Sequence, residues 1–88
     1  MRKLRVTLTS KPGQIPIGTA IALRKQPLNL YDNEAIEVVL NGIPTGYVAA
    51  FYKIRKPGTV SAGRLVDKIP DTISALVVAD QVAEVEVE

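Results

Sequence analysis

Apolar and polar residues alternate along much of the chain, beginning with Leu4, Val6 and Leu8 separated by Arg5, Thr7 and Thr9. This is the period of a strand with one buried face. Ser10-Lys11-Pro12-Gly13 ends it, residues 14–18 with Pro16 and Gly18 read as a loop, and residues 19–24 read as a second strand. Residues 35–40 place Ile36, Val38 and Leu40 on one face and Ala35, Glu37 and Val39 on the other. Asn41-Gly42 then supplies the two positive-φ residues of a type I′ hairpin turn. In the returning strand, 43–51, Pro44 has no amide donor and predicts an edge or a bulge, and Gly46 predicts close backbone approach.

Residues 53–58 form a charged loop, after which Ser61 caps a short helix with Ala62, Leu65, Val66 and Ile69 on its apolar side. Gly63 weakens that helix and Pro70 stops it. The tail predicts a final hairpin, 73–79 and 83–88, turning at Asp80-Gln81; a helix over 71–83, started by Pro70, is the alternative. Five or six strands and one helix in 88 residues predict a mainly β single domain over 1–88. A small antiparallel barrel or strongly curled sheet follows, because a flat sheet of this size would expose its edges. There is no internal repeat, low-complexity tract or linker.

Composition narrows the chemistry. A chain this short buries only about 60% of its surface on folding, which leaves little room for a deep cleft. Neither cysteine nor histidine is present, so disulfides, thiolate or imidazole metal sites and the usual neutral-pH base are excluded. Asp32, Glu34 and Glu37 are the acidic candidates for a metal, but Glu34 and Glu37 are an odd number apart and would face opposite sides of a strand. The expectation is a protein that is not an enzyme and holds no cofactor or metal. The basic N-terminus runs into alternation, not a continuous apolar stretch, and no apolar run approaches the length of a membrane span. A soluble cytoplasmic protein without membrane contact is expected.

The net charge of +2 conceals an asymmetry: residues 1–56 hold nine cations and three anions, and residues 57–88 hold two cations and six anions. A basic front is the electrostatic footprint of a phosphate-binding surface, and solvated strand faces are the plainer alternative. Two segments carry candidate chemistry. In the first, Arg24 and Lys25 precede a polar loop with Asn29, Tyr31 and Asp32. In the second, 51–56, an extended conformation puts Phe51, Lys53 and Arg55 on one side, where Lys53 and Arg55 would track phosphates. Against these stand structural roles: Asn29, Asp32 and Asn33 are turn formers, Tyr31 would cover the barrel mouth, and the cations of 53–56 would sit in water.

The order of a basic loop with Asn29-Leu30-Tyr31-Asp32, the strand Ala35-Ile36-Glu37-Val38, the turn Asn41-Gly42 and the step Gly46-Tyr47 resembles the HIRAN family across residues 24–48. That resemblance implies a barrel related to the OB fold. It also implies a module of the kind found in helicase-like DNA-repair ATPases or free-standing in bacteria. It places Asn29, Tyr31 and Asp32 in a pocket for the 3′ end of single-stranded DNA. There a tyrosine face stacks on a base, worth about 1–3 kcal/mol, and a carboxylate accepts from a free 3′-hydroxyl but repels a phosphate. Arg5, Arg24 and Lys25 would hold the backbone. The chain departs from the family at Leu30 and Glu34, in lacking a first-strand aromatic, and at Ala49 and Ala50 after the Gly-aromatic step. The resulting expectation is a non-catalytic nucleic-acid-binding module associated with DNA repair or replication, with a helicase-like ATPase as a partner. The alternative is a protein-interaction or assembly domain that docks a partner or a second copy through an edge strand at Pro44 or at 83–88.

Overall fold

The computed structural model describes residues 2–10, 15–26, 28, 34–50 and 55–87. The alternation that opens the chain folds as β1 (Arg2–Ser10), followed by β2 (Ala20–Lys25), β3 (Ile36–Leu40) and β4 (Ile43–Val48). A single helical turn, α1 (Ala62–Leu65), runs on as a 3-10 turn over Val66–Lys68, and β5 (Thr72–Ala79) and β6 (Val82–Val87) end the fold. The six strands form a closed antiparallel barrel in the order β1-β4-β3-β2-β5-β6, a small OB-like barrel. β2, β3 and β4 are neighbours in sequence, and β5 returns by a long connection to lie beside β2, which is a Greek key. The tail is therefore a hairpin and not a helix over 71–83.

The period-two pattern sorts the faces as expected. Val6, Leu8, Ile21, Leu23, Ile36, Val38, Val77 and Val85 point into the barrel and are buried. Leu65 and Ile69 reach the same core from the helical segment, and Ile15, in a stretch that reads as loop, joins it as well. Ser61 caps α1, its hydroxyl accepting from the Arg64 amide at 3.4 Å.

Turn chemistry fixes the registers. Asn41 and Gly42 both have positive φ, 52° and 79°, and they join Leu40 to its partner Ile43. Pro44 marks a bulge and not an edge: Val39 faces Pro44, Val38 faces Gly46, and Thr45 is the extra residue. Its hydroxyl donates to the Val38 carbonyl at 3.2 Å. β6 is likewise no free edge, since it pairs with β1 from Arg2↔Val87 to Thr7↔Val82.

Two seams of the barrel are only partly laddered. β1 pairs with β4 over Leu8, Thr9 and Ser10, and below that point Val60 bridges to Val6 in parallel, its amide donating to the Arg5 carbonyl at 2.8 Å. The chain thus fills this seam with its own residues. The β5–β6 ladder runs from Ala79↔Val82 to Leu76↔Glu84 and stops there.

Filling the first seam buries a residue that the alternation assigns to solvent. Thr7 is 3% exposed, covered by residues 55–59. Its hydroxyl accepts from the Lys56 amide at 2.9 Å and lies 2.9 Å from the Thr59 hydroxyl, which itself donates to the Lys56 carbonyl at 2.6 Å. Because the single Thr59 proton is committed to that carbonyl, Thr7 must be the donor between the two hydroxyls. Thr7→Val should lower stability by about 1–3 kcal/mol, the cost of stranding buried polar groups. Thr7→Ser, which keeps the hydroxyl, should cost about 1 kcal/mol or less. Urea unfolding measures both, and a valine variant as stable as wild type would remove the network from the account.

Candidate nucleic-acid interface

The segment 27–34 leaves β2 and re-enters β3 through a tightly paired stem. Lys25 faces Ile36, and the Gln26 amide donates to the Ala35 carbonyl at 3.0 Å, so the two ends of the loop are adjacent. One layer below, Arg24 faces Glu37 across the strands. Glu37 is 7% exposed, and its Oε1 accepts from Nε of Arg24 at 3.1 Å and also from Nη2 of the same side chain. Its Oε2 accepts from Nε2 of the Gln26 side chain at 2.8 Å. A buried carboxylate needs its lone pairs satisfied, and here both oxygens are used by residues of the facing strand and its exit. The result is a clamp across the neck of the loop.

Glu34, at the far end of the loop, lies over α1. A Cβ on Gly63 would come within 3.3 Å of Glu34 Oε1, so the glycine that weakens the helix in sequence makes room for this carboxylate in the fold. At the first residue of α1, the Ala62 amide donates to the Ala49 carbonyl at 3.2 Å, where β4 gives way to the segment 51–54. The stems of both candidate segments therefore meet α1, an adjacency that sequence order does not show. Asn29, Tyr31, Asp32 and Lys53 lie outside the described residues.

The predicted cations divide. Arg5 sits 3.4 Å from Glu84, which Lys3 also approaches at 3.8 Å. Arg55 donates to the Thr59 carbonyl at 2.7 Å, and Lys56 donates to the backbone and carboxylate of Asp80 at 2.6 and 3.2 Å. Arg24 serves the clamp, although its side chain is 49% exposed. Lys25 forms no ion pair with another described residue. It falls on the inner phase of β2 with Ile21 and Leu23, half-buried at the barrel mouth, where a lysine lays its stem on apolar neighbours and keeps its head in water.

Sequence reasoning missed Glu37 and Gln26 as the anchor of the loop. The signal was available, because Arg24 and Glu37 lie on the polar phases of two strands joined by one loop. The basic front is also less basic in space than in sequence, since β1 lies against β6 with Lys3 facing Glu86 and Arg5 facing Glu84. Among the described residues no group of three acidic side chains is placed to hold a metal, and no helix is long and apolar enough to cross a membrane. No known protein family, curated protein or solved structure matches the chain.

The clamp is unequal in its two halves. Arg24→Met leaves the buried Glu37 carboxylate with Gln26 alone and should cost about 3 kcal/mol, the scale of a broken buried pair. Glu37→Gln retains an acceptor, leaves a half-exposed guanidinium free to turn to water, and should cost about 1 kcal/mol. Equal losses for the two variants in denaturant unfolding would contradict this assignment.

Proposed function

We propose that the chain is a non-catalytic nucleic-acid-binding module of the HIRAN type, acting in the cytoplasm on the 3′ end of single-stranded DNA during repair or replication, alongside a helicase-like ATPase. The supporting observation is the clamp of Glu37 with Arg24 and Gln26 at the neck of 27–34. A loop whose two ends are fixed on a closed barrel loses less freedom on binding, which favours recognition by the side chains it carries. In this reading Tyr31 stacks on the terminal base, and Asp32 and Asn29 accept and donate at the 3′-hydroxyl. Lys25 and Lys53 are the principal phosphate contacts. Arg24 holds the loop and turns its exposed edge to the backbone, while Arg5 and Arg55 contribute less because Glu84 and the Thr59 carbonyl engage them.

With Lys25, Lys53 and the exposed edge of Arg24 as the phosphate contacts of this reading, the salt dependence should be shallow, a log–log slope of about −1.4 to −2.1 for two or three phosphates at about −0.7 each on a single strand. Fluorescence anisotropy with a labelled strand ending in a 3′-hydroxyl, against the same strand ending in a 3′-phosphate, tests the reading. Preference for the hydroxyl end is expected, together with its loss in the Tyr31→Ala/Asp32→Ala variant. Equal or negligible binding of the two strands by the wild type overturns it.

A further inference from the structure

A glycine inside a helix needs a reason, and at Gly63 the backbone does not supply one. Gly18, Gly42 and Gly58 have positive φ, whereas Gly63 lies in α1 without it. Alanine would be the more stable residue at such a position. What the missing side chain leaves room for is a single group. Outside the helix itself, the three heavy atoms nearest to a Cβ built on Gly63 are Oε1, Cδ and Oε2 of Glu34, at 3.3, 3.7 and 3.8 Å. The carboxylate of Glu34 is thus laid against the bare backbone of α1, closer than a methyl group at Gly63 would allow without displacing it by a few tenths of an ångström.

The two partners differ in how firmly they are held. α1 is a fixed support: Ala62 and Leu65 are 1% and 0% exposed in the core, the Ala62 amide is bonded to the Ala49 carbonyl, and Ser61 caps the turn. Glu34 is exposed and ends the loop. The residue after it is the buried Ala35, whose carbonyl accepts from the Gln26 amide and closes the neck. The loop exit is therefore met by two fixed points, the neck through Ala35 and α1 through Glu34.

We propose that Glu34 and Gly63 are a pair of positioning residues: the carboxylate rests on α1 and sets where the chain leaves the loop, two residues after Asp32. Their effect on a ligand presupposes the nucleic-acid reading above, in which Asp32 meets the 3′-hydroxyl. The pairing also accounts for Glu34 as a departure from the HIRAN pattern. A carboxylate facing the strand would repel its phosphates, and this one is turned onto a glycine of α1 instead. The cost to the helix at Gly63 and the anion at Glu34 are then two halves of one device.

Gly63→Ala adds the methyl group that the contact excludes, and Glu34→Ala removes the carboxylate. In ¹H–¹⁵N spectra of the free protein, Gly63→Ala should shift the amides of Gln26 and Ala35 at the neck. The double variant should show no such shift relative to Glu34→Ala alone. In fluorescence anisotropy each single variant should lower the preference for a 3′-hydroxyl over a 3′-phosphate strand by about threefold, and the double variant no further, because residues acting through one contact are not additive. Unmoved neck amides in Gly63→Ala, a shift that persists without the carboxylate, or additive losses would each overturn the pairing. A wild type that prefers neither strand, with the neck shift appearing and vanishing as described, would overturn the nucleic-acid reading and uphold the positioning pair.

Discussion

The ladder between β1 and β6 joins the two ends of the chain, and closing the barrel depends on it. β1 gathers three parts of the fold: its first six residues hold β6, its last three hold β4, and Val6 receives Val60. Thr7 stands where these contacts meet, and its burial beneath residues 55–59 turns a surface strand position into a polar joint inside the structure. The hydrophobic core of Val, Ile and Leu is enclosed only when this strand has found all of its neighbours.

The same ladder redistributes charge. A front rich in cations and a tail rich in anions look, in one dimension, like a basic surface with an acidic appendage. Folding places Arg5 beside Glu84 and ties Lys56 to Asp80, so much of the asymmetry cancels across strands. Among the described residues, Lys25 is a cation without an ion pair at the mouth of the barrel, next to a loop neck held by a buried carboxylate. In the proposed reading, recognition would draw more on shape and hydrogen bonding than on long-range attraction.

Local signals in the sequence carried most of the fold. Asn41-Gly42 announced its turn because both residues tolerate positive φ, and Pro44, lacking a donor, announced an edge or a bulge, of which the bulge is found. The order of strands around the barrel was not legible, since alternation says which face of a strand is buried but not which strand lies beside it. For that reason Thr7 read as a solvent residue and Arg24 as a phosphate contact, and nothing marked the loop residue Ile15 as part of the core. Glu37 read only as an acidic metal candidate beside Asp32 and Glu34, because its role as an anchor depends on Arg24 and Gln26 across the strand gap. Asn29, Tyr31 and Asp32 were found through motif order, which points to chemistry without supplying geometry.

A barrel closed by its first and last strands also has a temporal consequence. Arg5 and Glu84 are 79 residues apart in the chain, and contacts of such long range slow folding because loop entropy is lost before they form. During synthesis β1 emerges first and must wait, with an apolar face of Leu4, Val6 and Leu8, until β6 has left the ribosome. In that interval it is an unpaired strand, the kind of species that invites aggregation or a chaperone. The basic side chains of its opposite face, Lys3 and Arg5, act there as gatekeepers before Glu84 arrives to neutralise them.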